Sequence, residues 1–196
     1  MSKGSSSEGL TVRNCYFHDS HCMAAIITGP DAKIENCRFE RVAGTPVSLV
    51  RGGFWSEGPY PSKIRITNNF FTECNGAFEA QYRPGVITVQ CDTKGLIYDV
   101  EIANNEFINN RVGALFAKNA SDIVFKGNRV DGYLNIKPFD ESLGIMASYG
   151  DLGSFCGIYI DGCDRVTLQD NYISPKGKYA EEEIRIRDNC SDIVMK

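Results

Sequence analysis

The densest group of chemistry-bearing side chains is the run R-G-G-F-W-S-E-G-P-Y-P, from Arg51 to Pro61, which holds the only tryptophan. Trp55 beside Glu57 and Tyr60 is a composition that stacks a sugar ring on an aromatic face while a carboxylate bonds its hydroxyls. The same Gly- and Pro-rich flanks suit a tryptophan that covers an exposed edge of the fold, so both readings stand. A second rich segment, Asn75 to Leu96, carries Glu79, Gln81, Tyr82, Arg83 and Asp92. Substrate-binding residues are expected at Arg51, Trp55, Glu57, Glu79 and Arg83, with the two segments walling one groove. A third insertion, Asp131 to Phe155, has a composition that suits a short helix.

A catalytic constellation does not stand out. Glycoside hydrolysis needs two carboxylates facing each other, one with a raised pKa. Asp140-Glu141, Asp161, Asp164 and Glu181 to Glu183 are available, but each reads first as a solvated charge. Asp161 and Asp188 are expected in one slot of adjacent repeats, above Lys118, as a surface charge row. Gly52-Gly53 stands outside any strand-to-helix phosphate loop. His18, His21 and Cys22 read as corner residues before they read as metal ligands, and no metal site is expected. Eight cysteines are present. They are expected as mostly free, buried thiols, with Cys15 and Cys37 the one pair whose placement suits a bridge.

The elements that must carry these residues come from a repeated eight-residue phrase. It reads V-E-I-A-N-N-E-F at Val100–Phe107, with copies beginning at Leu10, Ala32, Ile64, Ile123 and Val166, and a partial copy at Ile193. Positions 15, 37, 69, 105, 128 and 171 occupy one slot, separated by 22, 32, 36, 23 and 43 residues. Apolar-polar alternation over four or five residues means strands. A base repeat of about 22 residues is one coil of a parallel β-helix, stabilised by stacking on its neighbours. The prediction is an all-β, right-handed, single-stranded parallel β-helix of about six to seven coils with loop insertions.

Val12, Ile34, Ile66, Ile102, Phe125 and Leu168 form one expected inward row. A second strand aligns Phe116, Tyr159 and Ile186 in another inward row, and Ala114, Gly157 and Ile184 in a third. Asn69, Asn105, Asn128 and Asn171 should stack as a ladder at one corner, taking the left-handed backbone that a sharp corner requires. Cys15 and Cys37 hold that slot in earlier coils.

A net charge of −4 argues against a nucleic-acid partner. No stretch approaches the length of a membrane-spanning helix, so no membrane partner is expected. Residues 1–9 read as a disordered polar leader without signal-peptide features, and residues 10–196 as the solenoid, part of a longer one. Neither end reads as a cap, so the open ends are expected to continue into further chain or to self-associate. Localisation is not readable from the residues.

The runs V-R-N-C-Y-F, A-K-I-E-N-C-R-F-E, F-W-S-E-G-P and I-R-I-T-N-N-F-F resemble the carboxy-terminal half of bacterial β-helix glycosidases, in particular the α-1,3-galactosidases of glycoside hydrolase family 110. D-V-E-I-A-N-N-E-F and A-L-F-A-K-N-A-S-D-I-V-F-K-G-N are similar to the coils that follow there. The resemblance covers most of Leu10 to Lys196 and implies a secreted or periplasmic, cofactor-free, inverting scaffold acting on α-galactosyl or related glycans. That family's adjacent Asp-Asp pair has no counterpart here, which puts its catalytic aspartates outside this chain. The alternative is a non-catalytic β-helix module for glycan binding, adhesion or structural spacing.

Overall fold

The computed structural model describes residues 9–50, 58–75, 85–136 and 155–196. The described strands form three parallel sheets of seven, six and six strands, each strand pairing with its counterparts one coil before and one coil after. This is a parallel β-helix. The first sheet runs from Thr11–Arg13 through Lys33–Glu35, Ser62–Thr67, Ile97–Ala103, Ala120–Lys126 and Asp164–Gln169 to Ser191–Met195. The second contains Tyr16–His18, Arg38–Glu40, Phe70–Thr72, Glu106–Ile108, Arg129–Asp131 and Tyr172–Ile173. The third contains Ala25–Ile27, Val47–Val50, Gly85–Gln90, Gly113–Lys118, Cys156–Asp161 and Glu182–Ile186.

The expected first row is in register from Val12 to Leu168, pairing in turn with Ile34, Ile66, Ile102 and Phe125. Inside the second sheet, Phe17, Phe39, Phe71 and Phe107 stack with centroids 4.9, 4.7 and 5.0 Å apart. Those separations equal the spacing of neighbouring strands, so each ring packs flat on the next coil. Burying each such side chain is worth about 1.5–3 kcal/mol.

Two expectations about rows are corrected. Phe116 pairs with Tyr159, but Tyr159 pairs with Arg185 rather than lying level with Ile186. The inward row of the third sheet is Leu115, Ile158 and Ile184, followed by Ala117, Ile160 and Ile186. Phe116 and Tyr159 lie on the outer face, in a cluster separate from the main core, yet both are buried. A one-residue slip exchanges the two faces of a strand. Here both faces are covered, so alternation carried no sign of which was inner. The same slip takes Asp188 out of its expected slot. Asp161 pairs with Lys118, their charged atoms 3.7 Å apart, and the next position in that row is Arg187.

The second correction concerns the corner. The left-handed residue is the one immediately after each strand of the first sheet: Asn14, Asn36, Asn68, Asn104, Gly127 and Asp170, with φ between 51° and 60°. The ladder residue follows it. In Asn68-Asn69 and Asn104-Asn105 the first amide residue supplies the turn and the second the stack.

All eight cysteines are free, with Cys37, Cys74, Cys91, Cys156 and Cys163 buried and Cys15 and Cys22 exposed. Burial pushes the Cys74, Cys156 and Cys163 thiols up to about 12. Among the described residues no helix occurs; the helix expected in the third insertion falls largely on residues 137–154, outside them. Apolar side chains are exposed at both ends of the described solenoid, including Leu10 and Ile26 at one and Met195 at the other.

Candidate functional site

The first corner uses up its own polar groups. Asn105 Oδ1 accepts from the backbone N–H and the side-chain amide of Asn69, at 2.9 and 3.0 Å. Asn105 Nδ2 donates to Ile66 O at 2.9 Å and to Asn128 Oδ1 at 3.1 Å. Asn128 repeats the pattern toward Asn171, and the Cys37 N–H donates to Asn69 Oδ1. Asn69, Asn105 and Asn128 are buried with their amides bonded, so this row holds the coils together.

The second corner is built alike but left open. The residue after each of the first five strands of the second sheet is again left-handed: Asp19, Arg41, Glu73, Asn109 and Gly132, with φ of 50°, 49°, 54°, 54° and 70°. Left-handed backbone at the stacked corner points these side chains outward, one per coil. Gly132 suits its φ of 70°, and a Cβ there would displace the Asn109 side-chain amide. One residue on, Asn110 Oδ1 accepts from the Cys74 N–H at 3.0 Å and its Nδ2 donates to Phe71 O at 3.1 Å.

Along this corner lies a cleft of about 600 Å³, lined by Arg41, Glu73, Asn109, Arg111, Asn135 and Ile136 among others. Its size is that of a small-ligand site. Its two guanidinium groups differ. Arg41 is committed: it holds Asp19 bidentately at 2.6 and 3.0 Å, pairs with Glu40, and lies 3.9 Å from Glu73. The Arg41 guanidinium, helped by His18, holds the Asp19 carboxyl well below the usual carboxylate range. Glu40 is lowered too, by the Tyr16 hydroxyl first and then by Arg38 and Arg41. Arg111, half-buried, has no carboxylate partner among the described residues. Its N–H donors lie in one lining with the amides of Asn109 and Asn135, while Ile136 supplies an exposed apolar surface.

Chemically the lining can bind hydroxyl, carbonyl or anionic oxygens. Glu73 is the only carboxylate lining it among the described residues, so the described part lacks the facing pair that glycoside hydrolysis needs. Among the described residues no three His, Cys, Asp or Glu side chains gather at metal-binding distance. His18 Nδ1 bonds Asp19 Oδ2 at 2.9 Å.

The expected site residues Arg51, Trp55, Glu57, Glu79 and Arg83 all lie outside the described residues. Their segments are anchored at Val50 and Gly58, and at Asn75 and Gly85. Val50 ends one strand of the third sheet and Gly85 begins the strand beside it, so these anchors sit at opposite strand ends of that sheet. The third segment, between Ile136 and Phe155, also leads into a third-sheet strand. Ile136 lines the cleft, and Asn75 lies two residues after its lining residue Glu73. The cleft itself was missed because its residues come from four coils and form no motif. The usable signal was the residue one place after each Phe-centred strand.

The chain matches no curated protein and no solved structure. The family model described as "right handed beta helix region" matches residues 2–133. Three parallel sheets, coil-by-coil register and two stacked corners agree with that match, and the chain belongs to the right-handed β-helix family.

Proposed function

We propose that this β-helix is the glycan-binding part of a carbohydrate-active protein, and that it holds sugar in the second-corner cleft. The observation that carries the reading is Arg111: a guanidinium without an acidic partner among the described residues, in a cleft of sugar-binding size, flanked by two amides and an apolar side chain. Such a lining bonds several hydroxyls at once while an apolar surface covers a ring face. The resemblance to family 110 galactosidases favours glycans with α-galactosyl or related ends. Glu73 is the single carboxylate among the described lining residues, and we assign binding to the cleft and any hydrolysis to aspartates elsewhere. Arg51, Trp55, Glu57, Glu79 and Arg83 are proposed to extend the contact from their own segments.

A glycan array rich in α-galactosides tests this. Wild type should bind, Arg111→Ala should lose most of the signal, and Trp55→Ala should lose it if the Trp55 segment contributes. No binding by wild type would remove the proposal. The apolar surfaces at the two ends support self-association by end stacking, which light scattering at several concentrations measures.

A further inference from the structure

The slot that carries the Asn ladder carries cysteine in the first two coils, and a second pair of cysteines falls on neighbouring coils at another corner. Arg13 pairs with Glu35 and Tyr16 with Arg38, which places Cys15 directly opposite Cys37 at the first corner. Asp164 pairs with Ser191, and the Ser191 N–H donates to Cys163 O at 3.0 Å, which places Cys163 opposite Cys190 at the third corner. The two pairs join the first two described coils and the last two.

Their thiols share one geometry. Cys15 and Cys163 each donate to the carbonyl two residues before, Arg13 O and Asp161 O, both at 3.4 Å. Cys37 reaches across to Val12 O at 3.7 Å, and Cys190 to Ile160 O at 3.6 Å. In each case the acceptor lies three residues before the partner cysteine. Asn69 Nδ2 makes the same reach to Ile34 O, three residues before Cys37. The cysteines therefore stack as the asparagines do, with side chains parallel and on the same side. Neighbouring strands stand roughly 4.8 Å apart, inside the Cα separation of about 4.4–6.8 Å that a disulfide spans.

We infer that Cys15–Cys37 and Cys163–Cys190 are two oxidation sites, each forming a disulfide that staples a terminal coil to its neighbour. One member of each pair is accessible: Cys15 is exposed and Cys190 half-buried, while Cys37 and Cys163 are buried. The oxidant is a small-molecule disulfide such as oxidised glutathione. The accessible thiolate attacks one sulfur of the oxidant and expels one glutathione thiolate, leaving a mixed disulfide. The buried partner, as thiolate, then attacks the protein sulfur of that mixed disulfide and expels the second glutathione. Two thiol protons and two electrons leave the protein for each bridge. Burial raises the Cys37 and Cys163 thiols, so the second step is the slow one and accelerates as pH rises.

The bridges would close loops of 22 and 27 residues and should raise the thermal midpoint by roughly 5 °C or more. The test incubates the folded, reduced full chain with oxidised glutathione, blocks remaining thiols, and maps peptides without reduction. Both cross-linked peptide pairs are expected, with an unchanged circular dichroism spectrum and a midpoint that falls back in reductant. Cys15→Ser should remove only the first bridge and Cys190→Ser only the second. Exposed Cys22 should carry glutathione instead. Glutathione adducts at Cys15 and Cys190 without internal bridges would overturn the inference, as would scrambled pairs involving Cys74, Cys91 or Cys156. A single bridge would overturn it for the other end.

Discussion

The first and second corners of this solenoid begin from the same device and end in opposite uses. Both place a left-handed residue directly after a strand and a stacking residue after that. At the first corner the connection is always two residues long, and its stacking amides are buried and bonded to one another. At the second corner the stacking slot changes from Val42 to Cys74 to Asn110 to Tyr133, and the left-handed residues Asp19, Arg41 and Glu73 carry exposed charges. The Tyr133 hydroxyl is buried with no hydrogen-bond partner among the described residues. Repetition without variation makes a structural seam. The same geometry with varied side chains makes a surface on which a cleft can be assembled.

The comparison can be broken most strongly at Asn105. Replacing it with Ala removes four hydrogen bonds and strands the Asn69 amide in a buried row, and should cost about 3 kcal/mol. Chemical denaturation would read this as a lower midpoint at constant slope. The seam can also be lengthened. Cys37→Asn puts an amide in the ladder slot, with Val12 O already within reach, and should add about 1 kcal/mol. An unchanged midpoint would mean that a thiol serves the slot as well.

Arg111→Ala should leave stability within about 0.5 kcal/mol of wild type while removing glycan binding. Binding and unfolding measured on one preparation separate the two roles. The smallest effect is expected at the exposed Arg41–Asp19 pair. Its contribution is present above the ordinary carboxylate range and fades only as pH falls through the depressed value of Asp19. NMR titration should find Asp19 still ionised at a pH where a carboxyl of ordinary pKa has protonated, and Arg41→Ala should return it toward the usual range. Salt should weaken this pair and leave the Asn ladder untouched.

The repeat phrase made the fold legible because the first corner does not vary. Six copies of a strand, a two-residue turn and an aromatic or β-branched resumption fixed the coil, the inward row and the ladder. The third sheet was harder to read. Val86-Ile-Thr-Val and Ala114-Leu-Phe-Ala are apolar on both faces, and a strand buried on both sides has no readable polarity. That ambiguity put Phe116 and Tyr159 on the wrong side. The cleft was invisible for a different reason: Arg41, Glu73, Asn109 and Arg111 are 32, 36 and 2 residues apart, and only stacking makes them neighbours. The tryptophan-bearing run was legible as composition alone, which names a chemistry without a place.

The fixed two-residue first corner also governs how such a gene can change. An added residue there would shift a buried amide out of line with both neighbours and turn the following strand inside out. The stretches between Val50 and Gly58, Asn75 and Gly85, and Ile136 and Phe155 carry no such constraint from the first corner. Length variation should therefore accumulate at these three places and be purged at Asn14-Cys15, Asn36-Cys37 and their successors. Grafted peptides belong in the same three openings, where new sequence can be carried without renegotiating the stack.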